Sequence, residues 1–70
     1  MSDHAAPIRA YIRRKKLSQE AFAHLIGVSQ GMVSQWLTGR RPVSAARAKK
    51  IEQATGGELL RHRIRPDIFA

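Results

Sequence analysis

LSQEAFAHLIGVSQGMVSQWLTG, residues 17–39, decides how this chain is read. Ser18 is a helix-capping residue type, and Glu20 just behind it suits the positive end of a helix dipole. Phe22, Ala23 and Ile26 then recur at helical spacing. Gly27 breaks the pattern and permits the positive φ of a tight turn. Ser29 opens a second helix whose inward positions are Val33, Trp36 and Leu37, and Gly39 stands where a left-handed residue would end it. Ala23 precedes Gly27 by four positions, where two helices cross closely and a larger side chain would hold them apart. Val28 follows the turn as an apolar plug. With Val33 and Trp36 turned inward, Gln30, Gly31, Ser34 and Gln35 are left on the opposite side. The spacing predicts a helix-turn-helix over residues 18–38.

The flanks read as helices too. Pro7 suits a first helical turn, and Ile8, Tyr11 and Ile12 form the apolar stripe of a first helix. Ser44 caps a fourth helix that presents Ala48, Ile51 and Ala54 inward before Gly56 and Gly57 stop it. None of Ser18, Ser29 and Ser44 has Glu or Gln three positions on, so each is a single-sided cap. Beyond Glu58, Leu59, Leu60 and Ile64 form one short helical face that Pro66 ends, and residues 67–70 read as extended. The expected architecture is a single all-α domain over residues 1–70, with four to five helices, Trp36 at the centre of its core and a weakly structured tail from 58 to 70.

Charge narrows the function. Thirteen Lys and Arg against five Asp and Glu leave a net +8 on 70 residues, a field suited to a polyanion. Between residues 17 and 39 there is no Lys or Arg, and Glu20 is the only acid. Cations crowd both flanks: Arg9, Arg13, Arg14, Lys15 and Lys16 before it, Arg40 and Arg41 after it, then Arg47, Lys49, Lys50, Arg61, Arg63 and Arg65. Flanking cations grip phosphates while neutral amides and hydroxyls read base edges, the usual division of labour on double-stranded DNA. A Gln pairs bidentately with adenine at roughly 1–3 kcal/mol of discrimination, which singles out Gln30 and Gln35; Ser34 reaches a base or a phosphate. Arg40 and Arg41 are the best-placed phosphate clamps, with a neutral bond from Thr38 and secondary contributions from Arg9, Arg13 and Lys16. No enzyme is expected: His4, His24 and His62 are scattered, the acids form no close pair, and no phosphate-cradling loop occurs. Neither a metal, a cofactor nor a small-molecule substrate is called for. There is no cysteine and no apolar run of signal-peptide or membrane length, so the expectation is a soluble, cytoplasmic protein.

Residues 17–43, LSQEAFAHLIGVSQGMVSQWLTGRRPV, resemble the helix-turn-helix of the lambda-repressor-like, Cro/C1-type family. Residues 45–69, AARAKKIEQATGGELLRHRIRPDIF, are similar to the YdaS-type antitoxins and Cro-like regulators of phages and prophages, with RPDIF the sharpest local signal. The resemblance runs from about residue 7 to 69 and implies a compact lambda-repressor-like domain that represses from palindromic operators, commonly as a homodimer on DNA. It places Gln19 where a Gln contacts a phosphate and braces the next helix, Ser29 beside the backbone, and Gln30 and Gln35 at the bases. Gly31 departs from the pattern, at a position that often carries a base-reading side chain. The other role the resemblance implies is an antitoxin that binds a protein toxin and represses its own operon. Ile64, Ile68 and Phe69 are then the residues for a dimer or partner contact, with Leu25 and Leu59 as alternatives, and all of them equally suit core cover.

Overall fold

The computed structural model describes residues 5–69; His4 and the last residue of the expected extended end lie outside them. The described residues are all-helical: α1 (Ala5–Lys15), α2 (Gln19–Ile26), α3 (Gln30–Leu37), α4 (Ala45–Ala54) and α5 (Arg61–Ile64).

Local chemistry explains each boundary. Ser18, Ser29 and Ser44 are extended, and their hydroxyls accept from Ala21 N (3.0 Å), Met32 N (3.1 Å) and Arg47 N (3.2 Å). Each cap of this kind is worth about 1 kcal/mol. At the other ends one motif recurs in four helices. A left-handed residue follows the helix, and the next amide reaches back five positions: Leu17 N to Ile12 O, Val28 N to Ala23 O, Arg40 N to Gln35 O, and Gly57 N to Glu52 O. Gly27, Gly39 and Gly56 supply three of the left-handed residues, and Lys16, at φ 56°, supplies the fourth. A side chain there costs roughly 1–2 kcal/mol, so Lys16 holds a position that glycine would fill with less strain.

The core gathers Ile8 and Tyr11 of α1, Phe22, Ala23 and Ile26 of α2, Val33 and Trp36 of α3, and Ala48 and Ile51 of α4, together with Val43, Leu59 and Ile64. The rings of Tyr11 and Phe22 meet at 6.0 Å with a tilt of 59°. Trp36 is buried as its spacing predicts. It also lines a surface groove with Met32, Arg41, Pro42, Ser44 and Arg47, while Phe22 and Ile8 are wholly enclosed. Val43 and Thr55 were not expected in the interior. Val43 drops into the interior from the loop between α3 and α4. Thr55 is buried at the end of α4, donating to Ile51 O (2.8 Å) and accepting from Leu59 N (3.1 Å), so that its hydroxyl splices α4 to the next segment.

The tail differs from the expectation. Leu59 and Ile64 are buried, but Leu60 precedes α5 and is 36% exposed, so the three do not share one helical face. Residues 67–69 are not extended. Ile68 N and Phe69 N both return to Arg65 O (3.0 and 2.9 Å), folding the end into a turn across Pro66. Nor is the tail weakly held. Glu52 receives Arg61 in a fork, Nε to Oε1 at 3.3 Å and Nη2 to Oε2 at 3.0 Å, and its Oε1 also takes the Arg61 amide at 2.8 Å. Phe69 lies beneath the Arg61 guanidinium (5.6 Å) and the Lys49 ammonium (6.0 Å).

These bonds from Arg61 hold the Glu52 carboxyl below its ordinary pKa. Its folded-state pKa is depressed, so its stabilisation is present above the unfolded pKa and is lost as pH falls through the folded one. Glu52→Gln is therefore expected to lower Tm at neutral pH, with the gap to the unaltered chain closing in strong acid. A gap that stays constant in thermal melts across that range would contradict the role given to the Glu52 charge.

Candidate nucleic-acid interface

The turn between α2 and α3 determines what α3 shows to solvent. Gly27, at φ 74°, reverses the chain, and the Ser29 cap starts α3 at once. Burial of Val33 and Trp36 then orients the helix, leaving Gln30 and Gly31 exposed and Ser34 and Gln35 half-buried. Gln30, Gly31, Ser34 and Gln35 thus stand on the side of α3 away from the core, as the spacing predicts. Nothing in the fold demands a glycine at 31: a Cβ built there meets only Ser29 Oγ, at an ordinary 3.9 Å.

The residues expected at phosphates flank this helix, and their free donors differ. Gln19 is half-buried at the start of α2. The Ser29 oxygen accepts from Met32 N and keeps its own proton for another acceptor. Thr38 is different, because its hydroxyl proton is aimed at Ser34 O (2.9 Å). To donate to a phosphate it must give up that bond. Lys16, Arg40 and Arg41 are exposed, and none forms an ion pair among the described residues. The loop carrying the two arginines is shaped by Gly39 at φ 76° and by Arg40 N and Arg41 N, which share Gln35 O at 2.9 and 3.3 Å.

The placement of the acids sharpens the picture. Glu58 takes Lys15 (2.9 Å) and Arg14 (3.7 Å), Glu52 takes Arg61, and Asp67 takes Arg65 (2.7 Å). These carboxylates pair with cations at the end of α1 and along the tail, and none of these pairs involves Lys16, Arg40 or Arg41, which flank the helix-turn-helix in sequence.

Three features were missed or misplaced. Arg9, a secondary phosphate candidate, donates to Leu37 O at 3.0 Å and so braces the C-terminal end of α3 from α1. Lys50 of α4 lies over the α2–α3 turn, its Nζ 3.2 Å from where a Cβ on Gly27 would be. Ile64 is wholly buried. It packs inside the core and drops out of the partner-facing set, because periodicity in so short a helix does not tell the inner face from the outer. Ile68 is 45% and Leu25 44% exposed, while Phe69 is half-buried against the core. Among the described residues no helix is long and apolar enough to cross a membrane.

Comparison with known proteins gives a consistent assignment. The family model described as Bacterial toxin YdaS matches residues 11–70. A protein of Escherichia coli (strain K12) described as "Putative transcriptional regulator YdaS" is 50% identical over 50 residues, which is 71% of this chain and 51% of that protein. The matched stretch therefore spans about half the length of that relative. No solved structure matches the chain. Since the family model takes in all of α2 to α5 and the C-terminal part of α1, the chain belongs to the YdaS family.

Proposed function

We propose that this chain is a sequence-specific DNA-binding transcriptional regulator, a Cro-like repressor of phage or prophage type that acts in the bacterial cytoplasm without catalysis. The observation that carries the reading is the neutral outer face of α3, within a helix-turn-helix whose sequence flanks carry Lys16, Arg40 and Arg41, exposed and outside the ion pairs among the described residues. The name of the Escherichia coli relative supports it. In this reading α3 enters the major groove, Gln30 and Gln35 read base edges, Ser34 assists, and Gly31 lets the helix backbone approach closely. Gln19, Ser29, Lys16, Arg40 and Arg41 hold the phosphates, and Thr38 joins them only by releasing Ser34 O. The operator is palindromic and is bound by two copies of the chain, with Ile68 and Phe69 available for their contact.

A second reading has one observation in its favour, the exposed apolar side chains Leu25 and Ile68, although the family description names a toxin and not its antitoxin. An antitoxin that binds a protein toxin and represses its own operon keeps the same DNA face and uses Leu25 or Ile68 for the toxin. A copurifying protein lost on Ile68→Asp, with DNA binding intact, selects this reading.

Unbiased selection of bound duplexes tests the main one. Enrichment of a site with two-fold symmetry, its half-sites about one helical turn apart, is expected; a bound pool as random as the input rejects it. On the selected site, Gln30→Ala is expected to cost roughly 1–3 kcal/mol and relax preference at one position. Arg40→Ala should weaken all sequences alike and lower the salt slope by about one. Equal losses on cognate and random duplex for both variants would remove this division of labour. Gly31→Ala separates fold from recognition. It should stabilise the chain by up to about 0.5–1 kcal/mol, since a glycine leaves the helix, while weakening binding to the selected site. Unchanged binding would show that DNA does not approach the backbone there.

A further inference from the structure

The loop that carries Arg40 and Arg41 is tied at both ends. Toward α3, their amides share Gln35 O. Toward α4, the Val43 side chain is buried, and its carbonyl accepts from Arg65 Nη1 at 2.6 Å across 22 positions of sequence. The same guanidinium turns its other edge to Asp67, with Nε on Oδ1 at 3.0 Å and Nη2 on Oδ2 at 2.7 Å. Pro66 lies between the two residues, and the amides of Ile68 and Phe69 close the turn on Arg65 O. The Arg65 side chain is only 14% exposed, so it faces the loop and not the solvent.

A planar fork held along one edge by a carboxylate has no freedom to swing its remaining N–H away from Val43. The loop end is thereby held by two different forces, apolar burial of the Val43 side chain and a charge-assisted bond to its carbonyl. Arg40 and Arg41 project from the few residues between this anchor and Gln35. If the anchor loosens, the backbone beneath both arginines samples more conformations, and a phosphate contact must first order it.

We infer that Arg65, aimed by Asp67, is a positioning residue for DNA binding: from the tail it sets the course of the α3–α4 loop, and with it the placement of Arg40 and Arg41. The inference rests on the DNA reading above and adds a role for the RPD segment within it.

The test uses charge against geometry. Asp67→Asn removes a negative charge from a chain of net +8, so electrostatics alone would tighten binding to any polyanion. Positioning requires the opposite. Binding of the full chain to a fluorescein-labelled duplex of random sequence is measured at moderate salt, far below Tm, with circular dichroism to confirm the helices. Asp67→Asn is expected to bind roughly three- to tenfold more weakly. Arg65→Lys, which keeps the charge and loses the fork, should weaken binding in the same direction. In the Arg40→Ala, Arg41→Ala background the Asp67→Asn effect should vanish, which a general loss of stability would not produce. Unchanged or tighter binding by folded Asp67→Asn and Arg65→Lys overturns the inference and leaves the DNA reading standing. Failure of the unaltered chain to bind any duplex removes both.

Discussion

Gly27 constrains more of this molecule than any other residue. Its left-handed backbone lets Val28 N return to Ala23 O at 3.0 Å, so α2 stops and the chain doubles back within two residues of the Ser29 cap. The small Ala23 side chain is buried in the same corner. From there the course of α3 is set by Val33 and Trp36, which enter the core on one side and leave the glutamines on the other. Arg9 braces the far end of α3 through Leu37 O. On the opposite flank, Lys50 of α4 covers the turn itself. An L side chain at Gly27 would be strained chiefly by φ, since the atom it meets is the mobile end of a lysine.

The same packing sorts the charges. A net +8 on so short a chain disfavours compaction. The fold answers by assigning Glu52, Glu58 and Asp67 to cations of α1 and the tail, where they also do structural work. Glu52 caps α5 and Asp67 shapes the last turn. Lys16, Arg40 and Arg41, which flank the helix-turn-helix in sequence, take no part in these pairs. In the proposed reading affinity and specificity fall to different residues, the first to cations flanking the helix-turn-helix and the second to neutral side chains on α3.

What was legible in the sequence was what local physics decides. Ser18, Ser29 and Ser44 each bond an amide three positions on, and Gly27 and Gly39 each end a helix, so their roles follow from immediate neighbours. The inward set of α2, α3 and α4 followed from periodicity, because those helices are long enough to show one. Val43, Thr55 and the Arg65 clasp were not legible. Val43 sits in a loop with no period, Thr55 is polar, and Arg65 meets Val43 across 22 positions, with nothing nearby to announce it. RPDIF stood out as a signal without a reason. Its reason is the bidentate pair that closes a turn across Pro66. Ile64 stayed undecided between partner contact and core cover, and residues 67–69 were read in the wrong conformation, because a four-residue helix and a side-chain fork leave no periodic trace. In the interface, the outward set of α3 was legible, whereas the committed proton of Thr38 and the compensation of the tail cations appear only in three dimensions.

The central claim is that one face of the molecule meets DNA: the start of α2, the outer side of α3 and the loop that follows it. Amide chemical-shift mapping of the isotope-labelled chain, titrated with duplex DNA, tests it most directly. The account predicts perturbations concentrated at residues 16–19, 29–35 and 38–41, with little change along the outer sides of α1 and α5. Perturbations centred on α1, α5 and the tail, with the α3 amides unmoved, would contradict it.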